Sequence, residues 1–201
     1  LWKDKLVFSH NGDHFTVENI TGLIQQVSSK DSANEGEHKQ TGKFGTGFIT
    51  THLLSNIIDV KGVVKNPNTD EFHNFALTLD RSARKSEDMI ESIANNLEWV
   101  KGLDNGNYHD FPIAKDYDSR TENDFHTSFT YHLNEDSLKS ATIGLSDLIN
   151  TLPITMVSLR ELKSVRVINH VDGTEQLYVC NSETIYKSSN AKIIRSTINI
   201  N

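Results

Sequence analysis

Thr41-Gly42-Lys43-Phe44-Gly45-Thr46-Gly47-Phe48 puts three glycines within six residues, directly before a segment that reads as a helix over Gly45–Ser55. A helix start leaves backbone N–H groups without intrahelical partners and concentrates positive partial charge, which suits a phosphate. Glycine lets the backbone approach a ligand closely and take positive φ without strain. About thirty residues upstream, Leu6-Val7-Phe8-Ser9-His10-Asn11-Gly12-Asp13 reads as a strand running into a tight turn. The segment between the two features is polar. Together they point to a nucleotide site.

The charge balance excludes other classes. Twenty-seven acidic and twenty basic residues give a net charge of −7 with no basic stripe, which argues against a nucleic-acid backbone as partner. The lysines near the glycine box, Lys30, Lys39 and Lys43, are matched by Asp31, Glu35 and Glu37. A mean hydropathy of −0.47 indicates long polar loops. The single cysteine, Cys180, excludes an internal disulfide and fits a reducing compartment; it reads as a quiet structural thiol in a strand. No apolar run approaches the ~18 residues of a membrane span and no signal peptide is visible, so a cytoplasmic protein is expected. The start at Leu1, almost at once in a strand, reads as a fragment of a longer protein.

Along the chain, Lys5–His10 reads as a buried strand. Thr16 caps a helix through Val27 with Val17, Ile20, Leu23, Ile24 and Val27 on one face. Ser28–Thr41 holds one apolar residue, Ala33, in fourteen and reads as a mobile loop. Asn56–Val64 and Glu71–Asp80 form an antiparallel hairpin about the Asn66-Pro67-Asn68-Thr69-Asp70 turn. Ser86–Lys101 is a helix capped by Ser86 and closed by Gly102, with Met89, Ile90, Ile93, Leu97 and Val100 as its buried stripe. Leu103–Asp124 is polar and irregular. Phe125, Thr127, Phe129, Tyr131 and Leu133 alternate on one strand face. Asp136–Asn150 is helical, and Pro153 is expected to break it before a second short helix through Leu162. Beyond Lys163, Val165–Asn169, Gln176–Cys180, Thr184–Lys187 and Lys192–Ile200 are short strands, the first two joined by Asp172-Gly173. A domain boundary is expected near Leu152, with residues 1–151 as one domain and 152–201 as the start of a second, β-rich one.

His10-Asn11-Gly12-Asp13-His14-Phe15, a helix, a polar loop holding Lys30, and Gly42-Lys43-Phe44-Gly45-Thr46-Gly47-Phe48 together resemble the superfamily of gyrase, the ninety-kilodalton heat-shock chaperone, histidine kinases and MutL. The likeness is greatest to its chaperone-like, sacsin-like branch and covers residues 5–133. It implies an α+β fold, the two-layer Bergerat sandwich in which a mixed, mostly antiparallel sheet is covered on one face by helices. It further implies ATP and Mg²⁺ as ligands, a protein partner or client, and dimer contacts driven by lid closure. Carried over by position, Gly12 lets the turn approach adenine and Phe15 lines its pocket. Ser28–Thr41 is the lid, with Lys30 near the phosphates. Lys43, Phe44 and Phe48 belong to the glycine box, whose N–H groups around Gly45, Thr46 and Gly47 hold the phosphate chain. Thr127 supports the base from the sheet.

The chain departs from the pattern twice. The family's adenine-reading aspartate falls at His10, which removes a charge-assisted hydrogen bond of roughly 1.5–3 kcal/mol; Asp13, or Asn11 through its amide, is the expected substitute. The family's general-base glutamate and Mg²⁺-binding asparagine sit on a helix that would precede Leu1, so no catalytic residue is assigned within this chain and the ATPase reaction belongs to the intact parent. The His10 departure also feeds a rival expectation, a non-catalytic interaction module that keeps the fold with weakened or lost nucleotide binding.

Other readings of the residues fare worse. The order G-x-x-G-x-G before a helix is not the kinase G-x-G-x-x-G between strands, and no G-x-x-x-x-G-K-[ST] sequence occurs. Of the nine histidines, His10 and His14 flank a glycine turn, while His126 and His132 are placed on the polar face of a strand, so no zinc-ligand spacing arises. Glu87, Asp88 and Glu91 read as a solvated helix face.

Overall fold

The computed structural model describes residues 1–25, 50–159, 161–187 and 192–201. It is a mixed α+β structure with two antiparallel sheets and three helices among the described residues, arranged as two compact units. One unit is Lys5–Leu133; the other joins Leu1–Asp4 to Asn134–Asn201. The chain passes from one unit to the other between Leu133 and Asn134.

In the first unit, β1 (Lys5–His10), β4 (Thr127–His132), β2 (Ile57–Lys65) and β3 (Phe72–Asp80) form one sheet in the order β1-β4-β2-β3. Every ladder in it is antiparallel; the one parallel contact among the described residues is the isolated bridge between Phe15 and Val64. Register sorts the side chains. Ile58, Val60 and Gly62 pair with Leu79, Leu77 and Phe75, while Tyr131, Phe129 and Thr127 pair with Leu6, Phe8 and His10. These residues share one face, and α1 (Val17–Gln25) and α2 (Ser86–Asp104) cover it through Ile20, Ile24, Val100 and Leu103. The opposite face carries Asp59, Thr78 and His132, joined by hydrogen bonds of 2.7 Å from Thr78 and His132 to the Asp59 carboxylate.

The expected hairpin is present. Asn66 O accepts the Asp70 N–H at 2.9 Å, and Asn66 Oδ1 accepts the Asn68 N–H at 3.0 Å. Asp70 takes φ 60°, a conformation that an aspartate tolerates better than most side chains. Thr16 caps α1 as expected, its hydroxyl accepting the Asn19 N–H while Asn19 Oδ1 accepts the Thr16 N–H. Val27 of the expected stripe, the loop Ser28–Thr41 and most of the helix expected over Gly45–Ser55 lie outside the described residues. Thr50–Leu53, within that span, forms a 3-10 turn and not an α-helix.

Several elements differ from expectation. β1 is not a buried strand: it lies at the sheet edge and Phe8 is 53 % exposed. Lys85, not Ser86, occupies the N-cap position of α2 and makes no side-chain cap bond. Gly102 does not close that helix, because burying Leu103 extends the apolar stripe by one turn, and Gly106 at φ +82° follows the new end. Ile90, expected in the buried stripe, is 65 % exposed. Phe125 lies before β4 and is exposed, so the alternating buried set narrows to Thr127, Phe129 and Tyr131. The irregular segment Leu103–Asp124 is anchored along the outer edge of β3, where Asn74 N–H donates to Pro112 O at 2.8 Å and Ala114 N–H to Phe72 O at 2.7 Å. That covers an edge that would otherwise offer unpaired backbone groups.

The second unit packs α3 (Glu135–Ser158) on the antiparallel sheet β5 (Ser164–Asn169), β6 (Thr174–Lys187) and β7 (Lys192–Ile200). Asn134 caps α3: its Oδ1 accepts the Asp136 and Ser137 N–H groups, and the Ser137 hydroxyl accepts the Asn134 N–H. Pro153 does not break α3. A proline inside a helix costs about 3 kcal/mol, which is offset here because Leu152 and Met156 on either side of it are buried against Val167, Tyr178 and Cys180. β6 runs unbroken where two strands were expected, with a register irregularity between Thr184 and Tyr186. Leu1–Asp4 joins this unit through the His170 N–H to Leu1 O bond and the Trp2–His170 ring stack at 4.3 Å.

Candidate functional site

The candidate site is the end of β1 and the start of β4, where the first unit's sheet meets the turn Asn11–His14. β1 ends at His10, and His10 pairs directly with Thr127. Both lie on the helix-covered face. Thr127 is fully buried, and its hydroxyl has no hydrogen-bond partner among the described residues. A buried hydroxyl left unpaired costs about 1–3 kcal/mol, so such a group calls for a reason. Phe8, two residues before His10 on the same face, contributes an exposed ring. Phe8, His10 and Phe129 lie at centroid distances of 5.7, 6.2 and 6.3 Å and form a small aromatic platform beside that hydroxyl.

The turn is held by the segment that returns from the far edge of the sheet. Asn11 Nδ2 donates to Glu122 O at 2.7 Å, and the His126 Nε2–H donates to Gly12 O at 2.7 Å. Gly12 N–H donates to His10 Nδ1 at 3.1 Å. A Cβ at residue 12 would sit 3.0 Å from that same nitrogen, a tight contact that the His10 ring would have to relieve by shifting a few tenths of an ångström. Burial first, and then the neighbouring His126, hold the His10 imidazole below its ordinary pKa. His14 faces the other way, edge-on to Phe72 and Tyr117, with the Arg120 guanidinium 3.9 Å from the Tyr117 ring centre. Burial is the main cause that lowers the His14 pKa; Lys65, Arg120 and His126 reinforce it and Asp13 opposes it.

The sequence-derived candidates are therefore placed as follows. His10, Asn11, Gly12 and Thr127 come together. Asp13 is exposed and its charge acts on His14 and Tyr117, whereas the causes acting on His10 do not include it. Asn11 is tethered outward to Glu122. Phe15 packs as a core residue: its ring lies over Gly62 and edge-on to Phe75 at 5.2 Å, and its N–H donates to Val63 O. Lys30 and Gly42, Lys43, Phe44, Gly45, Thr46, Gly47 and Phe48 lie outside the described residues. Phe8 and His126 are the neighbours that sequence reasoning missed. The period-2 spacing of Phe8 and His10 carried a signal for the first. His126 precedes β4 and serves the turn, while His132 alone sits on the exposed sheet face.

Both histidines of the turn bind protons less readily in the folded than in the unfolded chain. Stability is then present above the unfolded value of about 6.5 and is lost as pH falls through the lower folded values. Protonating His10 at Nδ1 would also remove the acceptor for the Gly12 N–H. Urea midpoints are expected to fall between pH 7 and pH 5, and His10→Gln with His14→Gln should flatten that slope. An unchanged slope in the double variant would contradict the assignment.

Comparison of the chain with known protein families, with curated proteins and with solved structures finds no match in any of the three. No helix among the described residues is long and apolar enough to cross a membrane, and none of their His, Cys, Asp and Glu side chains group to hold a metal ion.

Proposed function

We propose that residues 5–133 form an ATP-binding domain of the Bergerat type, with the base lying against β1 and β4 and the phosphates held by the Gly42–Phe48 box beneath the Ser28–Thr41 segment. The observation that carries this reading is the buried, unpartnered hydroxyl of Thr127 directly across from His10. A folded chain retains an unpaired polar group at a cost, and a ligand edge that bonds it removes the cost. An antiparallel sheet with helices on one face and a tightly tethered turn at its exposed edge supports the same reading.

Mg²⁺ would enter with the triphosphate and neutralise its charge; the described residues offer it no ligand cluster, and no step is assigned to it. No residue of this chain is assigned to hydrolysis, and partner or client contacts follow, in this reading, from nucleotide binding. Calorimetric titration of the chain with ATP and Mg²⁺ tests the proposal. Saturable heat is expected. No heat with any nucleotide would contradict it and favour the rival reading that the His10 departure suggests, an interaction module that has lost nucleotide use.

A further inference from the structure

Resting on that nucleotide reading, we infer that His10 selects the base, and selects one that presents a carbonyl oxygen where adenine presents its amino group, so that the preferred ligand is a 6-oxopurine nucleotide. Gly12 sets the tautomer of His10. A backbone N–H can only donate, and this one meets His10 Nδ1 at 3.1 Å, so Nδ1 is the acceptor and the proton of the neutral ring sits on Nε2. Nε2–H has no partner among the described residues and is not a sealed interior atom, so the ring keeps an unused donor at the end of β1. Burial of the ring and the proximity of His126 both favour this neutral form.

An aspartate here would be an acceptor only, the complement of an exocyclic amino group. A ring N–H reverses the polarity. Adenine carries a donor at position 6 and guanine an acceptor, O6. Against adenine the two donors face each other and both remain unpaired; against a 6-oxopurine they form one hydrogen bond. No hydrogen bond joins Asp13 or Asn11 to the His10 ring: Asp13 is exposed with its charge felt at His14 and Tyr117, and the Asn11 amide nitrogen is committed to Glu122 O. Thr127 does not discriminate, because a hydroxyl both donates and accepts and serves the adjacent ring atom of either base. Phe8, half exposed on the same face, supplies a ring on which any purine can stack.

The test is a set of titrations of the whole chain with ATP, GTP and ITP in the presence of Mg²⁺. GTP and ITP, which share the 6-oxo group, are expected to bind about tenfold tighter than ATP. His10→Asp should reverse that order, and His10→Phe, which keeps a ring and removes the N–H, should bring the ratio to about one. Saturable binding with ATP equal to or tighter than both 6-oxopurines in the unsubstituted protein would overturn the inference and leave the nucleotide site standing. No saturable binding of any of the three would overturn the nucleotide reading and the inference with it. The unsubstituted comparison decides the matter even if His10→Asp folds poorly.

Discussion

Replacing Gly62 with alanine is expected to lower the unfolding free energy of the chain by about 2 kcal/mol. A Cβ at that position would sit 2.7 and 2.8 Å from two atoms of the Phe15 ring and 2.9 Å from the Phe75 ring, closer than carbon atoms tolerate. The Phe15 backbone is fixed by its N–H bond to Val63 O and its bridge to Val64, so relief must come from turning the Phe15 or Phe75 ring, and these two rings are already packed edge-on at 5.2 Å. Gly62 is thus a packing glycine, kept small so that the segment leaving the turn can lay its aromatic ring on β2. Combining Gly62→Ala with Phe15→Leu should cost less than the sum of the two single changes, since the smaller side chain gives way. Urea denaturation of the three variants checks this. Strict additivity would mean that the two residues do not share the contact.

The second large effect concerns ligand. Replacing Gly45 and Gly47 together with valine is expected to weaken ATP binding at least about a hundredfold. Branched side chains at those positions would block close approach of the backbone amides to phosphate and bar positive φ. In a thermal or urea scan, ATP held at a hundred times the original Kd should stabilise the unsubstituted protein by about 2.7 kcal/mol and the double variant by no more than about 0.4 kcal/mol. Equal stabilisation of both would remove the glycine box from the site.

Where local chemistry was sufficient, the fold was legible from the residues alone. Asn66-Pro67-Asn68-Thr69-Asp70 specified the hairpin because its turn closes on its own backbone and side chains. Thr16 announced α1 through a cap that needs only Asn19. The alternation of Thr127, Phe129 and Tyr131 marked a strand with one buried face. Legibility failed where a distant partner decided the outcome. Leu103 carried α2 past Gly102 because a core was there to receive it, and the packing of Leu152 and Met156 on β6 kept α3 whole through Pro153. The edge position of β1 depends on sheet order, which no window of residues reports.

The candidate site follows the same division. His10, Gly12 and Thr127 could each be named from the sequence, but their meeting is a matter of strand register across more than a hundred residues. The tether from His126 to Gly12 O, the placement of Phe8 and the outward turn of Asp13 are equally products of tertiary arrangement. Asp13 and Asn11, expected to stand in for an aspartate at position 10, are set by contacts that adjacency along the chain does not report: Asn11 donates to Glu122 O, and Gly12 N–H, not either of these side chains, bonds the His10 ring.

The central claim, that Thr127 keeps a buried hydroxyl for a ligand and not for the fold, is tested most directly by Thr127→Val. Valine preserves the branched shape and deletes only the polar atom. Because that hydroxyl has no partner among the described residues, the ligand-free variant should be as stable as the original or more stable by up to about 1 kcal/mol, while nucleotide affinity falls about five- to tenfold. A variant destabilised by 1 kcal/mol or more, by the same ~1 kcal/mol measure, with nucleotide titrations unchanged, would contradict the account.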